Sequence, residues 1–331
     1  MISRQFISKI FAFFVGLCCV YIAYEFNSKS NTVLSGSIYG TTWTISSSDY
    51  ISDYHQVNIN KILNSVDSVA SNYKDTSEVS IINIKPLNNY FEISDELTEL
   101  ITTAEIVKNQ SNGFYDITLG KISASKGFSP DFGLDLSDYV EAGNTKYELK
   151  TNKLIKYQDF WFDMSSIAKG FAVQQIHDYL ISNDLTNHLI DIGGEVIING
   201  TNKSNAWVIG IQDPRNQLDK PFFLVSNDKS NFLAIATSGE YRNYRYDNDK
   251  LVTHTFDPFT KKSISGNLES ITIISQNSAT IADAYATAVN VMGLERGLDF
   301  VNKNGIAALF IINEEGELKS IKSQKWYDLE L

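Results

Sequence analysis

Asp283 and Thr287 stand four residues apart in ADAYATAVNVMG (282–293), a spacing that puts both side chains on one face of a helix. A carboxylate and a hydroxyl so placed can share one hard cation. Mg²⁺ suits such a sparse set, because it takes few protein oxygens and leaves room for substrate phosphates. Alanines at 282, 284 and 286 leave space for a ligand against that helix. In DMSSIAKGFAV (163–173), Lys169 offers a point charge for a phosphate, and a helix beginning near Ser165-Ser166 offers backbone N–H groups to the same anion. Tyr39, Trp43, Tyr73, Phe114 and Tyr115 supply flat faces for a ring system.

Each feature has a plainer reading when taken singly. Small residues around Asp283 also serve close helix packing, and Lys169 also suits solvent. Ser165-Ser166 also reads as an N-cap pair, and Gly193-Gly194 as a tight turn or a bulge in a strand. His254 in its apolar-flanked stretch also fits a satisfied structural histidine. The features become specific only in combination.

The elements that must carry them alternate between two periodicities. Ile59, Ile62, Leu63, Val66 and Val69 recur at helical spacing, which predicts a helix over roughly 51–72. Further helices are predicted over 94–111, from about Ser165 to Ile181, and over 278–303 with an end near Gly305. Strand signals crowd the second half, in HLIDIGGEVIING, AWVIGIQDP, FFLVS, NFLAIATSG, ESITIIS and AALFIIN. Strands and helices mixed in no strict βαβ order predict an α+β architecture with mixed or antiparallel sheets rather than a doubly wound one. A polar stretch at 141–160 marks a soft subdomain boundary within a unit spanning 36–331.

Composition narrows the partners. With a net charge of −11 and a pI near 4.9, the chain lacks the basic face that nucleic acid requires. Cys18 and Cys19 are the two cysteines, so everything beyond them is free of disulfides, thiolate zinc sites and cysteine nucleophiles. Four histidines leave no HExxH spacing, and no Ser-His-Asp motif stands out.

The N-terminus reads as a membrane segment. Arg4 and Lys9 precede an apolar run, Ile10 to Ala23, and counting from Phe6 to Tyr24 with Lys9 snorkelling approaches the ~20 residues a span needs. No A-x-A cleavage site follows it. The cations before the run and Glu25 after it predict an uncleaved anchor at 1–27, with the rest of the chain on the extracytoplasmic side of the inner membrane. A lipoprotein reading around Cys18 lacks the small residue expected just before the cysteine. Residues 28–35, polar and without periodicity, read as a linker.

Taken in order, GTTW, S-x-Y-x₃-SE-x-S-x₂-N, G-F-Y-D-I-T, D-x-S-x-I-A-K-G-x-A-V, IGGE, ATSGEYRNY, H-x-x-DP and ADAYATA form a set that resembles the FAD:protein FMN transferase family, known as the ApbE family, from about Gly36 to Gly293. The resemblance implies that Tyr39, Tyr73, Phe114, Tyr115, Asp116, Asp163 and Lys169 hold FAD, in a cleft between two lobes. It implies that Mg²⁺ takes a backbone carbonyl at Ser166 together with Asp283 and Thr287, and that His254 lies near the phosphates as the base. It further implies a reaction in which a Thr or Ser hydroxyl of an acceptor flavoprotein, such as a subunit of a membrane redox pump, attacks the FMN phosphorus and AMP departs. Three positions depart from the family pattern. Gln174 replaces an aspartate, Lys261 replaces the glycine of D-P-x-T-G, and Lys126-Gly127-Phe128 stands for W-G-F. Two other readings use the same residues: FAD hydrolysis with water as acceptor, and an extracytoplasmic FAD-binding protein without catalysis. Retention of Asp283, Thr287 and His254 argues against pure binding, which needs no base.

Overall fold

The computed structural model describes residues 4–29, 31–134, 136, 146–215, 220–240, 244–247 and 250–330. Helix α1 (Arg4–Lys29) leads into strands β1 (Thr32–Ile38) and β2 (Thr41–Ser47), then helices α2 (Asp53–Ala70) and α3 (Glu78–Asn83). Strand β3 (Tyr90–Glu92), helices α4 (Asp95–Gln110) and α5 (Gly120–Ser125), and strands β4 (Tyr147–Lys150) and β5 (Lys153–Lys156) follow. After helix α6 (Ala168–Ser182) come β6 (His188–Ile192), β7 (Glu195–Asn199), β8 (Val208–Gln212) and β9 (Pro221–Ser226). Next are β10 (Phe232–Gly239), β11 (Tyr244–Asp247), β12 (Lys250–Thr253) and β13 (Leu268–Ser275). Helix α7 (Ala279–Lys303), strands β14 (Ala307–Glu314) and β15 (Glu317–Lys322), and helix α8 (Gln324–Asp328) close the order.

Eight strands form one sheet in the order β1-β2-β6-β7-β10-β13-β14-β15, and every neighbouring pair runs antiparallel. This is the predicted α+β class. The sheet is buried on both faces, and strand alternation sorts its side chains. Ile197 packs with the helices, in a core that holds Leu63 of α2, Phe171 of α6 and Ala284 of α7. Its neighbours Val196 and Ile198 face the opposite way, against Ile211, Val225 and Trp326 of the β8–β9 hairpin and α8. That two-sided burial is why EVIIN reads as a continuous apolar run.

Helix starts follow serine caps. Ser94 accepts from the Leu97 N–H and Ser278 from the Ile281 N–H, each satisfying an end donor that the helix cannot. Helix α6 differs from expectation. It begins at Ala168 rather than near Ser165, and Ile167 caps it without a side-chain bond. Ser165 and Ser166 lie in the turn before it.

Residues 28–35 also differ from the linker reading, being helix to Lys29 and strand from Thr32. Thr32, Val33 and Leu34 pair with Ser47, Ser46 and Ile45, so β2 pulls that segment into the sheet. Of the stretch 141–160, residues 141–145 lie outside the described ones, and the rest forms β4 and β5 beside β3. Large apolar side chains of α1, among them Phe11, Phe14, Val20 and Ile22, are exposed. Among the described residues, no helix is long and apolar enough to cross a membrane.

Candidate active site

A cavity of about 350 Å³ opens where the ends of α2 and β10, the start of α6 and the middle of α7 come together. Such a volume is in the range of small-molecule sites. The eleven residues that the family resemblance assigns to the site all line it. Tyr39, Tyr73, Phe114, Tyr115 and Asp116 come from the first half of the chain. Asp163, Ser166 and Lys169 flank the start of α6, and His254, Asp283 and Thr287 complete the set.

The charged wall is built at the crossing of α6 and α7. Gly170 makes that crossing possible. A Cβ there would stand 2.5 Å from the Ala279 carbonyl oxygen and 2.6 Å from the Asp283 Cβ. Its backbone N–H donates to Asp283 Oδ2 at 2.9 Å. One residue earlier, Lys169 Nζ pairs with Glu195 Oε1 at 2.6 Å. Glu195 is 3% exposed, and its Oε2 is buried without a hydrogen-bond partner among the described residues. Burial first, and then the Glu195 charge, push the Asp283 carboxyl up to about 7, against the pull of Lys169 and the Gly170 N–H. Two buried carboxylates thus share one lysine. An orphaned acceptor beside a raised carboxyl is what a cation would satisfy, so the donor set fits a divalent ion. Among the described residues no group of three His, Cys, Asp or Glu side chains can hold a metal. Such an ion would also have to draw on hydroxyl or carbonyl oxygens, as Mg²⁺ does.

Asp116 is settled differently. Its Oδ1 accepts from the Thr118 N–H at 2.9 Å and the Thr118 hydroxyl at 2.6 Å, and its Oδ2 lies 3.3 Å from both Lys108 and Lys146. Burial pushes this carboxyl up, but the two lysines and Thr118 outweigh it and hold it below the ordinary range. Tyr115, expected to offer a flat face, is instead a core residue with its ring buried. What it brings toward the cavity is its hydroxyl, 2.9 Å from Ser166 Oγ. Asp163 accepts from the Ser165 N–H at 3.0 Å and so shapes the turn before α6. Trp43, also expected to offer a face, is buried over Gly36 and is not part of the lining.

The aromatic wall rests on turns. Tyr39-Gly40 and Gly193-Gly194 each form a two-residue hairpin loop with positive φ at both positions, at 53° and 72° and at 60° and 97°. Tyr39 holds this conformation with its hydroxyl donating to the Leu63 carbonyl at 2.7 Å. Tyr73 donates to the Phe128 carbonyl at 2.7 Å, and the Phe128 ring centre lies 6.3 Å from that of His254. Phe114 meets Phe259 edge-on at 5.0 Å. The turn carrying Phe259 is closed by Asp257, which accepts from the Phe259 N–H at 2.7 Å.

The departures from the family pattern have physical roles. Gln174 accepts from the Ala279 N–H at 2.9 Å, which satisfies a donor in the first turn of α7. Lys261, where the pattern has glycine, sits at φ 59°. Gly127 keeps a positive φ of 75°, and Phe128 after it is buried.

Two contributors carried no role in the sequence reading. Glu195 was visible as the last residue of IGGE, a polar group ending a strand-turn motif, but its lysine is 26 positions upstream. Asn72 donates to the Phe162 carbonyl at 2.8 Å and accepts from the Met164 N–H at 2.7 Å, so it holds Asp163 in place from behind. A buried asparagine before Tyr73 was its one signal.

Comparison with known proteins agrees with this geometry. The profile of the ApbE family matches residues 39–310. The chain is 30% identical over 311 residues to the FAD:protein FMN transferase of Vibrio cholerae, covering 88% of this chain and 91% of that one. It is 31% identical over 302 residues to the enzyme of that name from Haemophilus influenzae, covering 85% and 86%. The fold superposes on the apo Pseudomonas stutzeri flavinyl transferase ApbE with a TM-score of 0.79 at 26% identity, over 91% of this chain and 96% of that one. The chain belongs to the ApbE family.

Proposed function

We propose that this chain is a Mg²⁺-dependent FAD:protein FMN transferase that joins FMN through a phosphoester to a Thr or Ser hydroxyl of an acceptor flavoprotein. One observation carries the reading. Residues from segments spread between 39 and 287 converge on a single cavity whose charged wall holds two carboxylates and one lysine. Asp283, Thr287 and the Ser166 carbonyl would hold the ion, with Glu195 beside them. Bound there, Mg²⁺ supplies charge neutralisation for the pyrophosphate.

FAD lies in the cleft between the helical wall and the aromatic wall. Lys169 adds a cation for its phosphates, Tyr39, Tyr73 and Phe114 enclose the ring system, and Asp116, Asp163 and Tyr115 fix the segments around it. The acceptor oxygen attacks the phosphorus of the FMN half, the bond from that phosphorus to the bridging oxygen breaks, and AMP leaves with the electron pair. The acceptor proton goes to the His254 imidazole.

The uncovered apolar surface of α1 supports an anchor in the inner membrane, and the cations Arg4 and Lys9 before the run with Glu25 after it support a catalytic part outside the cytoplasm. Mass spectrometry of an acceptor incubated with the full chain, FAD and Mg²⁺ tests the whole reading. FMN-modified acceptor with released AMP is expected. FMN and AMP with an unmodified acceptor would mean water is the true acceptor, and intact FAD would mean binding alone.

A further inference from the structure

The opposite face of the sheet carries a second cavity, of about 980 Å³, and Gly193 and Thr237 line both. The two spaces lie back to back across one strand. On β7, Glu195 faces the first cavity while Val196, its neighbour, faces the second. Val196 and Ile235 of the main sheet, with Ile209 and Ile211 of β8, give the second cavity an aliphatic floor. Thr42 stands exposed at its rim. The Gly193-Gly194 turn divides the two spaces and is pinned by Asp191, which accepts from the Gly194 N–H at 2.8 Å.

Chemistry chooses the occupant. Arg215, at the edge, is paired with Asp213 through Nη2 at 2.8 Å and Nε at 3.1 Å, so this pair brings no net charge to the rim. An aliphatic floor suits an apolar side chain. An extended chain advances ~3.3 Å per residue and alternates its side chains, so one can enter the floor while a near neighbour reaches over the glycine turn. We propose that this groove receives the acceptor polypeptide, extended, with an aliphatic side chain in the floor and its Ser or Thr hydroxyl delivered past Gly193 to the phosphorus. The proposal rests on the transfer reading above.

The probe is a library of short peptides, each with one central threonine and varied flanks, incubated with the full chain, FAD and Mg²⁺ and read by mass spectrometry. Modified peptides should be enriched for an aliphatic residue at a fixed offset from the threonine. Thr42→Trp blocks the rim at an exposed strand position, and Ile209→Ala empties part of the floor. Each should cut transfer to the preferred peptides about tenfold, the scale of a few buried methylenes, with FAD affinity and FAD cleavage in the absence of peptide unchanged. Ile209→Ala should also shift selection toward larger apolar side chains. Transfer at the unsubstituted rate with the same selection in both variants would overturn the groove. So would a rise in the KM for FAD alongside the lost transfer, which would assign the groove to the adenosine half. Failure of the unsubstituted chain to modify any peptide while binding FAD would instead sink the transfer reading itself, and the groove with it.

Discussion

Asp116 lies between the ammonium groups of Lys108 and Lys146 and accepts twice from Thr118, whereas Asp283 has one backbone N–H and a second carboxylate for company. Both line the same cavity and both are buried, yet the first is held below its ordinary pKa and the second is raised to about 7. Their surroundings separate two uses of a buried acid. Around Asp116 the fold supplies the countercharge, so the group is a fixed part of the wall. Around Asp283 and Glu195 the fold supplies one lysine for two acids, so the balance is left to whatever binds. Buried charge without full compensation is costly, and the cation proposed above would offset that cost.

The sharpest test changes the uncompensated acid. Asp283→Asn keeps an acceptor for the Gly170 N–H and removes the charge, so FAD turnover should fall by about 10³-fold or more while circular dichroism stays the same. Activity within about twofold of the unsubstituted chain would dissolve the contrast between the two aspartates. His254→Ala should slow FMN transfer ~10²–10⁴-fold with little change in FAD affinity and a flattened acid limb of the pH–rate profile. Collapse of FAD binding with an unchanged pH profile would make it a binding residue instead.

The compensated acid should answer in stability. Asp116→Asn removes the negative charge facing two partly buried lysines and should lower unfolding free energy in urea by about 3 kcal/mol. Because its folded pKa is depressed, the Asp116 contribution is fully present above the unfolded value of 3.8 and is lost as pH falls through the lower folded value. Asp283 has the opposite sign. Its folded pKa is raised, so ionisation costs stability above about 7, and the cost is relieved as pH falls from there toward 3.8. In metal-free buffer Asp283→Asn should therefore melt higher than the unsubstituted chain at pH 8, and the gap should close as pH is lowered to 5. A gap independent of pH would mean that Asp283 is already neutralised.

The smallest effect belongs to the aromatic wall. Lys261 occupies the left-handed region at φ 59°, where a side chain is strained. Lys261→Gly should stabilise the chain by about 1 kcal/mol in the same urea measurement.

Local features were legible in the sequence. Ser94 and Ser278 announced the starts of α4 and α7, and helical spacing in 59–69 announced α2. The spacing of Asp283 and Thr287 placed both on one wall. What was not legible depends on distance along the chain. Lys146 reaches Asp116 across 30 positions and Asn72 reaches Met164 across 92, so neither partner leaves a mark near its target. Aromatic type gave Tyr115 and Trp43 the same expectation, but burial depends on which side of a strand or loop the core occupies. The early start assigned to α6 shows the same limit from the other side. A serine pair resembles a cap, but here the Met164 carbonyl begins the helical bonding by accepting from the Ala168 N–H at 2.9 Å.

At Gly170 the backbones of α6 and α7 meet with no room for a methyl group between them. Lys169 and Asp283 therefore ride on one rigid body, and neither can be repositioned without the other. Adjusting their separation by mutation would require sliding two long helices, which close-packed interiors resist. The opposing wall has no such tie, since Phe259 and His254 stand on turns outside the main sheet. A ligand entering the cavity would therefore meet its charged wall as one preformed unit.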